Sequence, residues 1–284
     1  MVAFTVFLLL ASKGCRPLIS SPHEFAHFST NVVASHHLGF TDKTEWHGFE
    51  RTYFPRLKDL RRRTCDAGGK GVRLLEIGLG AGNRTGASVA LWRSFFGRQA
   101  TLHFLEYDPN TAQAVQAQHP HMMSRVWVGD QNNASLLAQI VEEGGGGYDV
   151  IIDDGAHTMS SITSTVRNLF LALKPDGFLF VEDMHTVFSP AYGGNPLPTA
   201  RGNAAVLFQH LLVDQLCLAV AARCERLHEP TLSPMIASVE CSRELCILTR
   251  AKTAEQDDWT RVHEACVGTT RCDCGPNRPS TRCI

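Results

Sequence analysis

The chain has 284 residues, 44% of them hydrophobic and 19% charged, with a formal net charge of −1. That balance suits an ordinary globular protein able to bury a sizeable core, as one large α/β domain with additions or at most two small domains. It gives no electrostatic reason to expect nucleic acid or an acidic membrane as partner; no internal repeat recurs, and no apolar run is long enough for a stable membrane span.

Residues 1–11, MVAFTVFLLLA, are apolar and stop at Ser12-Lys13-Gly14-Cys15. The run is short for a membrane helix and fits a signal-peptide core, although it lacks a basic n-region. Residues 1–20 are therefore expected to be a leader, which points to the secretory pathway or the extracellular space. An organelle leader, or an apolar N-terminal helix packed on a cytoplasmic domain, is the alternative. Residues 21–60 read as a linker followed by a cap helix. His23, His27, His36 and His37 do not repeat on one helical face, which suits solvated linker histidines better than a metal site. Trp46, Phe49, Tyr53 and Phe54 form an amphipathic helical stripe that would cap a sheet. Asp42, Lys43 and His47, just before that helix, are placed to line a ligand pocket.

From residue 61 to 250 the chain alternates strand-like and helix-like segments. Val72, Leu74 and Leu75 make an apolar run that passes through Glu76 into Gly78, Gly80 and Gly82. An apolar run breaking into alternating glycines reads as a buried strand entering a tight turn. A helix over 85–96 follows. Strand, glycine loop and helix in that order are how a doubly wound fold holds a nucleotide-like cofactor. The dinucleotide pattern G-x-G-x-x-G would need glycine at position 83, where Asn83 stands.

A second strand over 102–105 ends at Glu106, which offers two acceptor oxygens to a ribose diol. Asp108 is expected to cap the next helix. A third strand, 125–131, ends in Asp130-Gln131, with the acid placed to accept from an adenine amine. After a helix over 133–143 comes a fourth strand, YDVIIDD at 148–154, whose two acids are costly to bury unless they bind something. A helix over 158–173 stops at Lys174-Pro175-Asp176-Gly177. A fifth strand, 178–181, leads to Glu182, Asp183 and His185. Each of these strands ends in acid, and parallel strand ends converge on one edge, so a site is the better reading.

Residues 189–203, SPAYGGNPLPTARGN, form a Pro/Gly-rich loop read as a lid or acceptor-binding loop with Tyr192 as a contact. A helix over 204–222 and two strands within 235–248, turning at Ser242-Arg243, complete the pattern. The expected fold is α/β: a Rossmann-like, doubly wound, mostly parallel seven-stranded sheet with an antiparallel closing hairpin.

The motif E-x-G-x-G-x-G at Glu76–Gly82 resembles the first motif of class I S-adenosylmethionine-dependent methyltransferases. LLEIGLGAG, GDQNN, YDVIIDDGAH and LKPDGFLFVEDMHT together resemble the macrolide-sugar (mycinamicin-type) Mg²⁺-dependent O-methyltransferase group, as do FTDKTEWHGFERTYFPRL and LWRSFF. The resemblance covers roughly residues 38–250. It implies that Glu76, Gly78, Gly80, Gly82, Glu106, Asp130, Gln131 and Asp153 hold S-adenosylmethionine, and that Asp153, Glu182 and Asp183 hold Mg²⁺. His185 would be the base, with His157 as its rival.

Residue chemistry supports this independently. Mg²⁺ prefers hard oxygen ligands, and histidine is absent from that metal set, which argues against zinc. A cation touching a hydroxyl lowers its pKa enough for an imidazole to take the proton. The implied function is methyl transfer to a hydroxyl of a sugar or glycosylated small molecule, by a protein for which a homo-oligomer stays open. The alternatives are a catalytically inactive, cysteine-stapled binding module on the same fold and a nicotinamide-dependent oxidoreductase. Asn83 and the lack of a Tyr-x-x-x-Lys pair near the fourth strand weigh against the last.

The tail, residues 251–284, departs from the group. Of 10 cysteines, all but Cys15 and Cys65 follow residue 216. With no C-x-x-C spacing, disulfides in an oxidising compartment fit better than zinc. Cys241 and Cys246 are placed to pair across the hairpin, and Cys217 and Cys224 share a helical face. The sequon at Asn83 points the other way, because a glycan there would obstruct the cofactor loop; Asn133 is the more suitable acceptor.

Overall fold

A computed structural model describes residues 19–65, 71–197, 199–219 and 226–252. The apolar leader, Cys224 and the cysteine-rich tail beyond Lys252 lie outside the described residues.

Seven strands form one sheet: β1 (Arg73–Ile77), β2 (Thr101–Glu106), β3 (Arg125–Val128), β4 (Tyr148–Asp153), β5 (Leu173–Val181), β6 (Ile236–Cys241) and β7 (Cys246–Arg250). Their order is β3-β2-β1-β4-β5-β7-β6. β1 to β5 pair in parallel, and β7 runs antiparallel to both β5 and β6. This is the Rossmann-like sheet with a closing hairpin that the pattern predicts. β1 is flanked by β2 and β4, so the strand order reverses there and opens a crevice at the carboxyl edge.

Alternation of side chains along the strands separates two cores. Leu74, Leu102, Phe104, Val150, Ile152 and Phe180 face a layer built on α1 (Pro22–Ser35), α3 (Glu50–Cys65) and α4 (Ala87–Phe96). Leu75, Ile77, Leu105, Ile151, Leu179 and Val181 face α6 (Ala134–Gly144), α7 (Met159–Leu169) and α8 (Ala204–Leu218). The short α2 (Asp42–Glu45) and α5 (Pro109–Gln118) complete the helices named here. Trp92 and Phe95 on α4 are wholly buried; truncating such a ring to alanine costs about 3–5 kcal/mol.

Three elements differ from expectation. α1 stands where a linker is expected. Ser21 caps it, accepting from Glu24 N at 3.2 Å, Pro22 opens it, and Phe25, Phe28, Val32 and Val33 are buried at helical spacing. Of the histidines that suggest solvated chain, His23 and His27 lie on the other positions of that helix, His36 is its C-cap and His37 follows it. The helix after β4 ends at Leu169 and tightens into a 3₁₀ turn, Phe170–Ala172. β5 then begins at Leu173, earlier than expected. Leu173 pairs with Tyr148, the register shifts, and pairing resumes at Val150 and Phe178, which takes Pro175 out of the ladder. Among the described residues no helix is long and apolar enough to cross a membrane.

Candidate active site

The carboxyl ends of β1, β2 and β4 and the turns beyond them enclose a cavity of about 700 Å³. Its floor is the glycine loop. Gly78 leaves β1 with φ 95° and donates its N–H to the Leu105 carbonyl at 2.8 Å. A Cβ there would stand 2.1 Å from the Asp154 carbonyl oxygen, so only glycine lets the ends of β1 and β4 approach this closely. Gly78 and Gly80 line the cavity; Gly82 begins a 3₁₀ turn, Gly82–Arg84, and lies off the wall.

Glu106, at the end of β2, is a fixed acceptor. Oε2 accepts from Leu79 N and Oε1 from Asp108 N, both at 2.9 Å, and the residue is on the cavity wall. Asp108 caps α5 as expected, accepting from Asn110 N at 2.9 Å. Asp130 lines the wall beyond β3, with Oδ1 accepting from Asn132 N at 2.8 Å. Gln131 borders the cavity, but its amide is committed. Nε2 donates to Asp153 Oδ1 at 3.0 Å and to Thr165 Oγ1 at 3.1 Å, while Oε1 accepts from Ala156 N at 2.9 Å.

Strand parity sorts the remaining acids. Glu76 lies two residues after Leu74, and Glu182 two after Phe180, so both point into the α1/α3/α4 layer. Trp92 Nε1 donates to Glu76 Oε2 at 3.0 Å. Tyr53, its ring stacked 4.3 Å from that of Phe180, donates its hydroxyl to Glu182 Oε1 at 2.5 Å. Between them stands Lys43, 2% exposed, with Nζ 2.6 Å from Asp154 Oδ2, 2.7 Å from Glu182 Oε1 and 3.2 Å from Glu76 Oε1. Burial pushes the Glu76 carboxyl up to about 7, with the Lys43 ammonium opposing it. Burial and the nearby Asp154 raise Glu182 well above the carboxylate range. Burial acts to lower the Lys43 ammonium, but Asp154, Glu182 and Glu76 outweigh it and hold the group well above its usual range.

Asp153 lies two residues after Ile151 and points to the opposite layer. It is 1% exposed, its carboxyl is raised by burial, and Oδ1 accepts from Gln131. Asp153 and Glu182, expected to hold a metal with Asp183, therefore point to opposite faces of the sheet. Neither they nor Glu76 lines the cavity. The physical reason is the period of two: at each strand end a one-residue step exchanges the faces.

Asp183 is joined instead by Asp154 and His157, whose ligand atoms all lie within 4.8 Å of one another. His157 Nε2 is 3.5 Å from Asp183 Oδ2 and 3.8 Å from Asp154 Oδ1. His157 and Asp183 both hold φ 54°, a left-handed conformation that costs energy in non-glycine residues and concentrates at functional sites. Asp183 Oδ1 is buried without a hydrogen-bond partner. Two carboxylates and such an oxygen suit a hard divalent cation such as Mg²⁺, with one imidazole where only carboxylates are expected.

His185 is half exposed, with Nδ1 4.0 Å from Asp183 Oδ1. On the same side His47 places Nε2 3.6 Å from that oxygen and Nδ1 against Glu244 Oε2. Asp42, Lys43 and His47 all line the cavity, as their position before the cap helix suggests. Nothing in the sequence marks Glu244, a polar residue in the hairpin turn. Tyr53 is concealed in an aromatic stripe that is otherwise apolar packing. Over the glycine loop, Arg84 pairs with Asp42 and lies 5.7 Å and 5.3 Å from the rings of Phe40 and Trp46.

No family model matches the chain. It is 28% identical over 213 residues, 74% of its length, to the 8-demethyl-8-(2-methoxy-alpha-L-rhamnosyl)-tetracenomycin-C 3'-O-methyltransferase of Streptomyces olivaceus, of which it covers 51%. To the mycinamicin VI 2''-O-methyltransferase of Micromonospora griseorubida it is 28% identical over 173 residues, 60% of this chain and 40% of that one. The chain thus spans about half the length of the curated relatives it matches. Among solved structures, the MycE methyltransferase from the mycinamycin pathway in complex with Mg and SAH superimposes with a TM-score of 0.65 at 23% identity, covering 85% of this chain and 60% of that one. The fold is the Rossmann-like methyltransferase fold, and the relatives are sugar O-methyltransferases, in line with the motif resemblance.

Proposed function

We propose that the chain is an S-adenosylmethionine-dependent O-methyltransferase acting on a hydroxyl of a sugar or glycosylated small molecule, assisted by Mg²⁺. The observation that carries this reading is one cavity with two chemistries on its wall. The Gly78 turn and the fixed Glu106 carboxylate suit a nucleoside, and the Asp154, Asp183 and His157 group suits a cation beside it.

S-adenosylmethionine supplies an activated methyl group, and Mg²⁺ supplies positive charge that eases deprotonation of a hydroxyl. The protein's part is placement and proton handling. Glu106, held by Leu79 N and Asp108 N, presents acceptor lone pairs to ribose hydroxyls. Asp130, on the same wall, would accept from the adenine amine. Asp154 and Asp183 would hold the cation, with His157 completing the group. His185, outside that group and half open to solvent, takes the acceptor proton at its imidazole. Tyr192, 6.4 Å from the His157 ring between centroids, stands at the loop expected to contact the acceptor. Most of the rate enhancement expected here comes from positioning and charge neutralisation.

The apolar start, the late cysteines and the Cys241–Cys246 bridge support assignment to an oxidising, secretory compartment.

The test is calorimetric titration of S-adenosylhomocysteine into the full chain and its Glu106→Ala variant. Methyl transfer to rhamnosylated tetracenomycin and mycinamicin VI acceptors would then be assayed with and without Mg²⁺. Binding by the wild type, weakened at least tenfold by Glu106→Ala, is the expected result. A folded wild type that binds neither S-adenosylhomocysteine nor S-adenosylmethionine would overturn the reading and favour a binding module on the same fold.

A further inference from the structure

We propose that Lys43 is a positioning residue for the cation site, tethering Asp154 from behind so that its other oxygen is held toward Asp183 and His157. The inference rests on the cation reading above. Three observations carry it. First, Lys43 is buried among three carboxylates, yet only Asp154 of the three also lines the cavity. Asp154 therefore has two sides: Oδ2 meets the ammonium at 2.6 Å, and Oδ1 faces His157 Nε2 at 3.8 Å.

Second, among the described residues Lys43 donates the one side-chain hydrogen bond that the Asp154 carboxylate accepts. A carboxylate with one strong donor is oriented by it, and partners behind a metal ligand commonly set its geometry. Third, the ammonium is itself fixed. Glu182 Oε1 is shared between Lys43 and the Tyr53 hydroxyl, and Glu76 is held by Trp92. Those anchors stand on the ends of β5 and β1, while Lys43 belongs to α2 in the segment that covers the glycine loop. The tether thus joins that cover to the cation ligand, and its anchors Glu76, Glu182, Tyr53 and Trp92 lie off the cavity wall.

A buried lysine among acids has a plainer role, which is to neutralise them. The two roles separate in measurement. Full-length wild type, Lys43→Met and Tyr53→Phe would be titrated with Mn²⁺ by electron paramagnetic resonance, and with S-adenosylhomocysteine by calorimetry, alongside thermal midpoints. Lys43→Met is expected to weaken Mn²⁺ binding by about 10–100-fold and S-adenosylhomocysteine binding by less. Tyr53→Phe removes a donor to Glu182 but leaves the Lys43–Asp154 contact, so its Mn²⁺ affinity is expected to stay near wild type. Unchanged or tighter Mn²⁺ binding in folded Lys43→Met overturns the proposal, as does an equal loss in Tyr53→Phe. If Lys43→Met does not fold, Lys43→Met with Glu182→Gln removes the ammonium together with one of its buried carboxyl partners and leaves Asp154 untethered. The same 10–100-fold loss is then expected, and wild-type affinity overturns the proposal. Absence of Mn²⁺ binding by the wild type overturns the cation reading itself, and is read from the wild-type chain alone.

Discussion

Glu244 and His47 stand 197 residues apart in sequence and meet beside the cavity, the Oε2 of one against the Nδ1 of the other. The pairing leaves His47 Nε2 aimed at Asp183 Oδ1, 3.6 Å away. The Glu244 backbone also takes part, because its carbonyl accepts from Met184 N at 2.8 Å, directly after Asp183. A carboxylate that holds an imidazole in this way sets its tautomer and direction. Glu244→Gln should lower methyl transfer about 10–100-fold while S-adenosylhomocysteine binding stays unchanged, because Glu106 and the glycine loop lie elsewhere. Turnover measured beside calorimetry checks this, and an unchanged turnover would remove Glu244 from the site.

The turn that carries Glu244 is closed by the Cys241–Cys246 disulfide. By loop-closure entropy a bridge across so short a loop contributes about 2 kcal/mol. Replacing Cys246 with serine should cost that much in urea denaturation. It should also reproduce part of the Glu244→Gln loss in turnover, since the same four-residue turn would be less constrained. Loss of stability with full turnover would show that the turn keeps Glu244 in place without the bridge.

Most of the fold was legible because its signals are local. The apolar run into Gly78, the cap at Asp108 and the turn at Ser242-Arg243 each fix one element in place. Glu106 and Asp130 reach the cavity wall as single acids, one closing β2 and the other two residues past β3, with no adjacent acid to confuse the facing. The paired acids each have one. Asp153 and Asp154, or Glu182 and Asp183, differ by one step of strand alternation, and only the packed layers say which faces the cavity. Phe180 against Tyr53 and Ile151 above Asp153 decide that, and both are tertiary facts. α1 was obscured because His23 and His27, with His36 and His37 just past its end, lower the apparent hydrophobicity of a helix whose Phe25 and Phe28 are buried. Glu244 reaches the site by a long-range contact that leaves no local trace.

Gly78 and Gly82 provide a matched pair of substitutions. Both have positive φ, but a Cβ at Gly78 would meet the Asp154 carbonyl oxygen at 2.1 Å, whereas at Gly82 nothing lies within 4 Å. Gly82→Ala should therefore cost only the left-handed strain, about 1–2 kcal/mol, and keep cofactor binding within a few fold. Gly78→Ala forces the β1 and β4 ends apart and displaces Asp154. It should abolish measurable S-adenosylhomocysteine binding in calorimetry. Similar behaviour of the two variants would mean that the close approach of the strand ends is not needed.

Asp214 on α8 is a structural counterpart to the site acids. It is fully buried and accepts from His228 N at 2.9 Å, His228 Nδ1 at 2.8 Å, Glu229 N at 2.8 Å and Ser233 Oγ at 2.6 Å. Burial alone would raise its carboxyl, but these donors outweigh it and hold the group well below the usual carboxylate range. Its stabilisation is therefore present above the unfolded value near 3.8 and is lost as pH falls below it. Asp214→Ala strands several buried donors and should destabilise the protein by about 3–5 kcal/mol. Urea denaturation at neutral pH reads the loss, and a change under about 1 kcal/mol would show that the His228–Ser233 segment finds other partners.

His103 predicts a second, milder pH dependence. Burial, with smaller contributions from Arg73 and Arg125, lowers its imidazole from 6.5 to about 4. Nδ1 lies 2.9 Å from the Tyr148 hydroxyl, whose own pKa burial raises to about 12, so the phenol keeps its proton beside the neutral ring. The folded state therefore binds fewer protons than the unfolded chain between pH 4 and 6.5. Stability from this group is full above 6.5, falls as pH is lowered through that window, and is lost by about 4. A shift of that size is worth at most about 3 kcal/mol, and residual solvation of the ring should reduce it to about half. His103→Phe keeps the ring volume beside Trp127 and removes the titrating group. Its urea midpoint should stay flat across the window where the wild type declines. An identical decline in both proteins would assign the pH dependence to another group.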